Sequence, residues 1–253
     1  MGKDLSFIID DWDFDPGDIC ARKIVGADGR EKLQVRLDLG LLQMELEGRP
    51  DGTRFRGHVT VLDYYVSRLE GYEEQHGSDN GFRLKGKACS RLWQERVQYY
   101  HRYICLLRLE DYKGVLQDTS HDLQIFDLVN TFADDDEAKL SFEQYRPYVI
   151  MIHSRAEGEI CLKQGNHDGA IQAASSGIGK IRSFFEAFGD PELIDASEEL
   201  KALEAWGEEL KTSRPMSMKQ QLSQKLMEAI AEEKYEQAAR IRDRIQGLEG
   251  TNF

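Results

Sequence analysis

What the sequence lacks first is a catalytic vocabulary. No GxSxG, Walker A or GxGxxG string occurs, and the histidines at 58, 76, 101, 121, 153 and 167 never pair as HExxH or a similar couple on one helix face. Nothing names a nucleophile, a base, a metal site or a cofactor, so a non-enzymatic role is expected. The four cysteines, Cys20, Cys89, Cys105 and Cys161, lie far apart without CxxC or CxxH spacing. That signals neither a zinc knuckle nor a disulfide framework, and they are expected to be small buried hydrophobes. Apolar runs are short of the roughly 20 residues that span a bilayer. The opening MGKDLSFIIDDWDFD has too small an apolar patch, followed by carboxylates, to serve as a signal peptide. A cytoplasmic protein without a membrane partner is the expectation. Basic excess is missing as well: a net charge of −13 repels phosphate, and counterion release needs clustered Lys and Arg, so nucleic-acid binding is not expected.

What is present reads as an α+β fold, mostly α. Between residues 18 and 48 the chain alternates: ICARKIV, a turn at Asp28-Gly29, KLQVRLDL with Leu33, Val35, Leu37 and Leu39, then LLQMELE before Pro50-Asp51-Gly52. This predicts a small antiparallel meander with one apolar face, covered by a helix through Val61, Tyr64, Tyr65 and Leu69. The run HGSDNG ends that helix, and a long one follows over about 85 to 110, apolar on more than one side. Its Tyr99-Tyr100-His101-Arg102-Tyr103 cluster is read as rings straddling a buried helix with their polar tips outward.

Helical hairpins fill the rest. Asp111, Gly114, Gln117 and Ser120 fall opposite Asn166, Gly169, Gln172 and Ser175, which hints at two related hairpins, and Gly158, Gly165 and Ala170 have the small-residue spacing of a tetratricopeptide repeat. Asp190-Pro191 opens a further helix to about Lys211. The acidic start, with Asp11, Asp13 and Asp15, fails as a calcium loop because Pro16 and Arg22 stand at its diagnostic positions. It is read as a solvated arm whose Trp12 and Phe14 offer an alternative as a short docking motif. The expected divisions are 1–82 (arm, meander and covering helix), 83–211 (helical-hairpin array) and 215–253 (a two-helix hairpin).

That last division rests on a break at Thr212-Ser213-Arg214-Pro215, after which Ser217 and Gln220 form a capping box. Unlike the acidic remainder, residues 215–253 carry six basic and six acidic side chains. Leu222, Leu226, Ala229 and Ile230 make one stripe, Glu232-Glu233-Lys234 turns the chain, and Ala238, Ile241, Ile245 and Leu248 make a second. Ala238 and Ala239 allow close approach beside Tyr235, and Arg242 with Asp243 could pair or cap across the hairpin. About 30 residues cannot bury such faces alone, so the unit must dock on something.

The string Leu-x3-Leu-x2-Ala-Ile, then Tyr235-Glu236-x-Ala238-Ala239-x-Ile241-Arg242-Asp243-x-Ile245-x2-Leu248, resembles the UVR motif of the UvrB and UvrC subunits of bacterial excision repair. Clp-type ATPases and McsA-type adaptors carry it too. RLDLGLLQMELEGRPDG, DYKG and QYRPY also resemble bacterial proteins that bear this motif, a likeness that implies no activity. The resemblance implies docking rather than catalysis. Its candidate contact residues are Leu222, Leu226, Ile230, Tyr235, Ala238, Ile241, Arg242, Asp243, Ile245 and Leu248. The expected partner is another UVR-bearing protein, of Clp ATPase or UvrB/UvrC type, or a second copy of this chain. An adaptor or scaffold is thus expected, with an accessory factor of nucleotide excision repair as the alternative. The plainer possibility is that the hairpin merely packs on the helices before it.

Overall fold

The alternation between residues 21 and 45 folds as a three-stranded antiparallel meander, β1 (Ala21–Val25), β2 (Glu31–Leu37) and β3 (Gly40–Glu45), in the order β1-β2-β3. Gly29, at φ +75°, supplies the left-handed turn between β1 and β2. In this computed structural model the described residues are 5–188, 191–214 and 218–249. Before the sheet comes one helical turn, α1 (Ser6–Ile9). After it follow α2 (Val61–His76), α3 (Gly86–Arg108), α4 (Tyr112–Phe132), α5 (Asp136–Glu143), α6 (Arg146–Lys163), α7 (His167–Phe188), α8 (Pro191–Ala196) and α9 (Glu198–Thr212). The architecture is α+β, mostly α. By contact the chain divides into two units, Met1–Glu208 and Glu209–Phe253, so the sheet and the helices through α8 share one unit.

The sheet's inner face, Leu33, Val35 and Met44, packs with Tyr103, Leu106, Val115, Ile152 and Ala156, which belong to α3, α4 and α6. The helix expected to cover the sheet, α2, packs elsewhere: its Val61, Leu62 and Tyr65 join Leu92, Phe126 and Val129 in a second cluster. On the outer face, Arg22, Gln34 and Gln43 form a hydrogen-bonded row across the three strands, at 3.0 Å for each link. The arm lies on that row. Trp12 covers the Arg22 guanidinium at 3.8 Å, and Asp18 accepts two bonds from Arg108 of α3. The carboxylates are solvated as expected, but the arm is anchored by its ring and by Asp18.

Helix α3 is buried on two sides, and the seam it shares with α4 is polar. Glu95, fully buried, accepts from the backbone N–H groups of Val61 (2.6 Å) and Leu62 (3.0 Å) and lies 3.1 Å from His121 Nε2. It thereby satisfies two N–H groups at the start of α2, where Thr60 and Asp63 complete a capping box. Arg102 donates twice to Asp118, at 2.8 and 2.6 Å, and once each to the carbonyls of Glu45 and Gly48, at 2.9 and 2.8 Å. Tyr99 stacks on His121 at 3.8 Å and donates to Gly48 O, while Tyr103 is fully buried, so these rings do not point their tips outward as expected.

The two hairpins α3–α4 and α6–α7 close with one backbone pattern. Glu110 (φ +56°) donates to Leu107 O and Asp111 to Leu106 O; Gly165 (φ +73°) donates to Leu162 O and Asn166 to Cys161 O. These are the paired 5→2 and 6→1 bonds of a Schellman turn. The side chains of Asp111 and Asn166 then cap the next helix, accepting from Gly114 N (3.1 Å) and Gly169 N (2.9 Å). The alignment of Asp111 and Gly114 with Asn166 and Gly169 is therefore an identity of local structure. Further along, Gly158 admits the Trp206 ring, which would lie 2.4 Å from an added Cβ. One helix was expected from Asp190-Pro191 to Lys211, with Asp190 itself outside the described residues. Instead α8 and α9 break at Ser197, whose Oγ accepts from Leu200 N at 3.1 Å and caps α9.

These buried polar contacts, and one between α4 and α6, set two expected outcomes. Asp118→Ala leaves the Arg102 guanidinium buried without its carboxylate and should cost about 3 to 5 kcal/mol, read from the shift of a urea or thermal unfolding midpoint. Across the α4–α6 contact, Thr119 Oγ1 donates to Val115 O (2.7 Å), so His153 Nδ1, at 2.8 Å, donates to the hydroxyl. Burial, reinforced by Lys180, lowers the imidazole below its ordinary 6.5. The unfolded ring takes up a proton more readily than the folded one. This contribution is therefore whole above pH 6.5 and declines below it, by at most about 1.4 kcal/mol per pH unit. Unfolding curves between pH 7.5 and 5.5 should show a smaller loss for His153→Gln than for the parent.

Candidate functional site

Unit Glu209–Phe253 contains α10 (Met218–Ala231) and α11 (Tyr235–Glu249), packed against each other as a hairpin. The turn at Glu232-Glu233-Lys234 repeats the geometry of the earlier hairpins. Glu233 (φ +59°) donates to Ile230 O at 3.0 Å, Lys234 donates to Ala229 O at 2.8 Å, and Ala238 N reaches Lys234 O at 3.0 Å. At the corner the Lys234 ammonium, 2.6 Å from Glu232, holds that exposed carboxyl below its ordinary range. No glycine fills the left-handed position here, and a lysine replaces the Asp or Asn cap.

The hairpin buries little of its apolar surface. Leu222, Ala229 and Ala238 are buried; Leu226, Ile241 and Ile245 are half-buried. Ile230 and Tyr235 keep 52% and 67% of their surface exposed, and Met227 keeps 66%. Ile230 does not share the inner stripe of Leu222 and Ala229, for a geometric reason. At about 100° per residue, Ala229 lies within about 20° of Leu222, whereas Ile230 lies about 80° and Met227 about 140° round the helix. Met227 and Ile230, three residues apart, therefore begin a second, outward stripe. Met227 was readable in the sequence from that spacing, but the stripe drawn through Leu226, Ala229 and Ile230 passed it by.

Arg242 and Asp243 do not act across the hairpin. Neighbours on one helix, 64% and 68% exposed, they meet each other at 3.5 Å, and an exposed pair of this kind contributes almost nothing to stability. The side chain of Leu248 lies outside the described residues, as does the expected capping box of Ser217 and Gln220. Around Tyr235 the turn end carries a shallow depression of about 550 Å³ bordered by Lys234, Glu236, Gln237 and Arg240. No group of three or more His, Cys, Asp or Glu side chains that could hold a metal ion occurs among the described residues, and none of their helices is long and apolar enough to cross a membrane.

The geometry is that of a two-helix hairpin with a thin inner seam, an outer apolar edge and a charged remainder. No curated protein and no solved structure matches the chain. The family model described as the UvrB/uvrC motif matches residues 217–251, which takes in both helices and the turn. By that match, and by the filled positions Leu222, Leu226, Tyr235, Ala238, Ala239 and Ile245, the chain carries a UVR motif of the UvrB/UvrC type.

Proposed function

We propose that this protein is a non-catalytic adaptor that docks a second UVR-bearing protein, of Clp ATPase or UvrB/UvrC type, through the α10–α11 hairpin. The observation that carries the reading is the exposure of Met227, Ile230 and Tyr235 on an element whose buried side chains, among the described ones, are Leu222, Ala229 and Ala238. Large apolar side chains gain about 1.5 to 3 kcal/mol each on burial, whereas association costs at least about 4 kcal/mol in lost freedom. Three such anchors, still half to two-thirds exposed, joined by the half-buried Leu226, Ile241 and Ile245, can offset that cost and support weak docking, which further contacts to the partner would strengthen. The tetratricopeptide-like hairpins α3–α4 and α6–α7 would hold the client. A cytoplasmic bacterial setting fits the partners, and the alternative, an accessory repair factor, would contact nucleic acid through a local basic face, with a salt-dependent shift of DNA as its mark.

The test uses the intact chain and an Ile230→Asp, Tyr235→Asp double variant, whose substitutions fall on exposed positions and should leave the hairpin folded by circular dichroism. Pulldowns from a bacterial lysate should recover a UVR-bearing protein with the parent chain, and the variant should lose at least about tenfold of it, as burying two charges at apolar contacts requires. A doubled mass by light scattering, abolished in the variant, would identify a second copy as the partner. Equal recovery with both chains and equal mass would overturn docking by this edge.

A further inference from the structure

A different cleft, wholly within the first unit, has the features of a small-molecule site. It lies between α3, the α5–α6 corner and the start of α9, with a volume of about 590 Å³, inside the range of ligand pockets. Trp93, Tyr100, Tyr145 and Tyr148 line it together with Arg96 and Glu199. Arg96 is only 4% exposed, yet its buried Nε makes no hydrogen bond to any described residue. Its nearest carboxylate, Asp122, is 3.9 Å from Nε, beyond hydrogen-bond reach, and both Asp122 oxygens are likewise without a bonded partner among the described residues. Arg102, two turns further on, makes four bonds from an equally buried position. Buried charge without hydrogen bonds is costly, and the contrast with Arg102 marks Arg96 Nε as an unspent donor.

The rings fix what could use it. Tyr145, Trp93 and Phe126 surround the guanidinium with centroids at 4.2, 5.0 and 5.3 Å, so rings hold it in place while Nε stays without a bonded partner. Asp122 compensates it incompletely, since burial pushes that carboxyl well above its ordinary value against the pull of Arg96. An acceptor with negative charge and a flat apolar body answers both requirements. Glu199 in the lining disfavours a second negative charge and would accept from a hydroxyl there. We propose that this cleft binds a small aromatic monocarboxylate, its ring among Trp93, Tyr100, Tyr145 and Tyr148 and its carboxylate accepting from Arg96.

The probe is 1-naphthoate, compared by isothermal titration calorimetry on the intact chain with 1-naphthalenemethanol and 1-naphthylmethylammonium. The naphthoate should bind at least about tenfold more tightly than the alcohol, the increment of a charge-assisted hydrogen bond, and the ammonium should not bind. Arg96→Gln should remove the preference for naphthoate over the alcohol, and Tyr148→Ala should weaken both ligands together. Should Arg96→Gln fail to fold, the three-ligand comparison on the parent chain and the Tyr148→Ala variant still decide. No heat from naphthoate at millimolar concentration, a preference below tenfold, or affinity indifferent to Tyr148→Ala would each overturn the proposal.

Discussion

The bidentate pair of Arg102 and Asp118 is the constraint on which the first unit hangs. One guanidinium holds α3 to α4 through Asp118 and, through the carbonyls of Glu45 and Gly48, holds the end of β3 and the following turn to the same helix. Those carbonyls could not be left bare in an apolar contact, and an unpaired guanidinium there would be worse. Sheet placement and helix pairing are therefore one condition rather than two. Glu95 repeats the device seven residues earlier by taking the first N–H groups of α2, with Arg49 3.4 Å away as a second cation. A carboxylate at a helix start also meets the positive end of the helix dipole.

A second constraint is the turn used three times. Glu110, Gly165 and Glu233 each take left-handed φ, each donates three residues back, and the following residue donates five back. Residue chemistry varies while the backbone does not: glycine bears no steric penalty at that position, whereas the two glutamates carry one of about 1 kcal/mol each. The penalty is tolerated in the α3–α4 hairpin because Asp111 adds a cap and an ion pair to Lys23 of β1. The α10–α11 hairpin has at its corner a lysine, which cannot accept a capping bond, and the exposed Lys234–Glu232 ion pair alone. Its hold rests on the seam of Leu222, Ala229 and Ala238, which makes it the less self-sufficient of the three.

Much of this was legible in the sequence because it depends on local rules. Alternation gave the three strands, Asp28-Gly29 their first turn, and the paired Asx–Gly spacings the two related hairpins. The UVR motif was legible from filled positions at fixed spacing, and the family match falls on the same residues. What escaped was non-local. Glu95, Arg96, Arg102, Asp118 and Asp122 look like ordinary solvated charges, since the sequence of α3 does not announce that α4 supplies a facing partner a turn or two off register. For the same reason α2 was read as the cover of the sheet. Apolar spacing shows that a helix has a face to bury but not which neighbour receives it. Ser197 escaped because a serine inside an otherwise helical pattern signals a cap only when the chain is seen to bend there.

The two units thus divide the physics of burial in opposite ways. In the first, charges such as Arg102, Asp118 and Glu95 are drawn inside and matched, so that specificity of packing is enforced by groups that would be costly if misplaced. In the second, apolar side chains are left outside: an isolated pair of 14- and 15-residue helices has too little interior for Met227, Ile230 and Tyr235. A protein selected only for stability would place polar residues at those three positions at no cost to the inner seam. Their retention beside a turn already strained at Glu233 is understandable if the outer edge is completed by another chain, because association then recovers the burial that folding leaves undone.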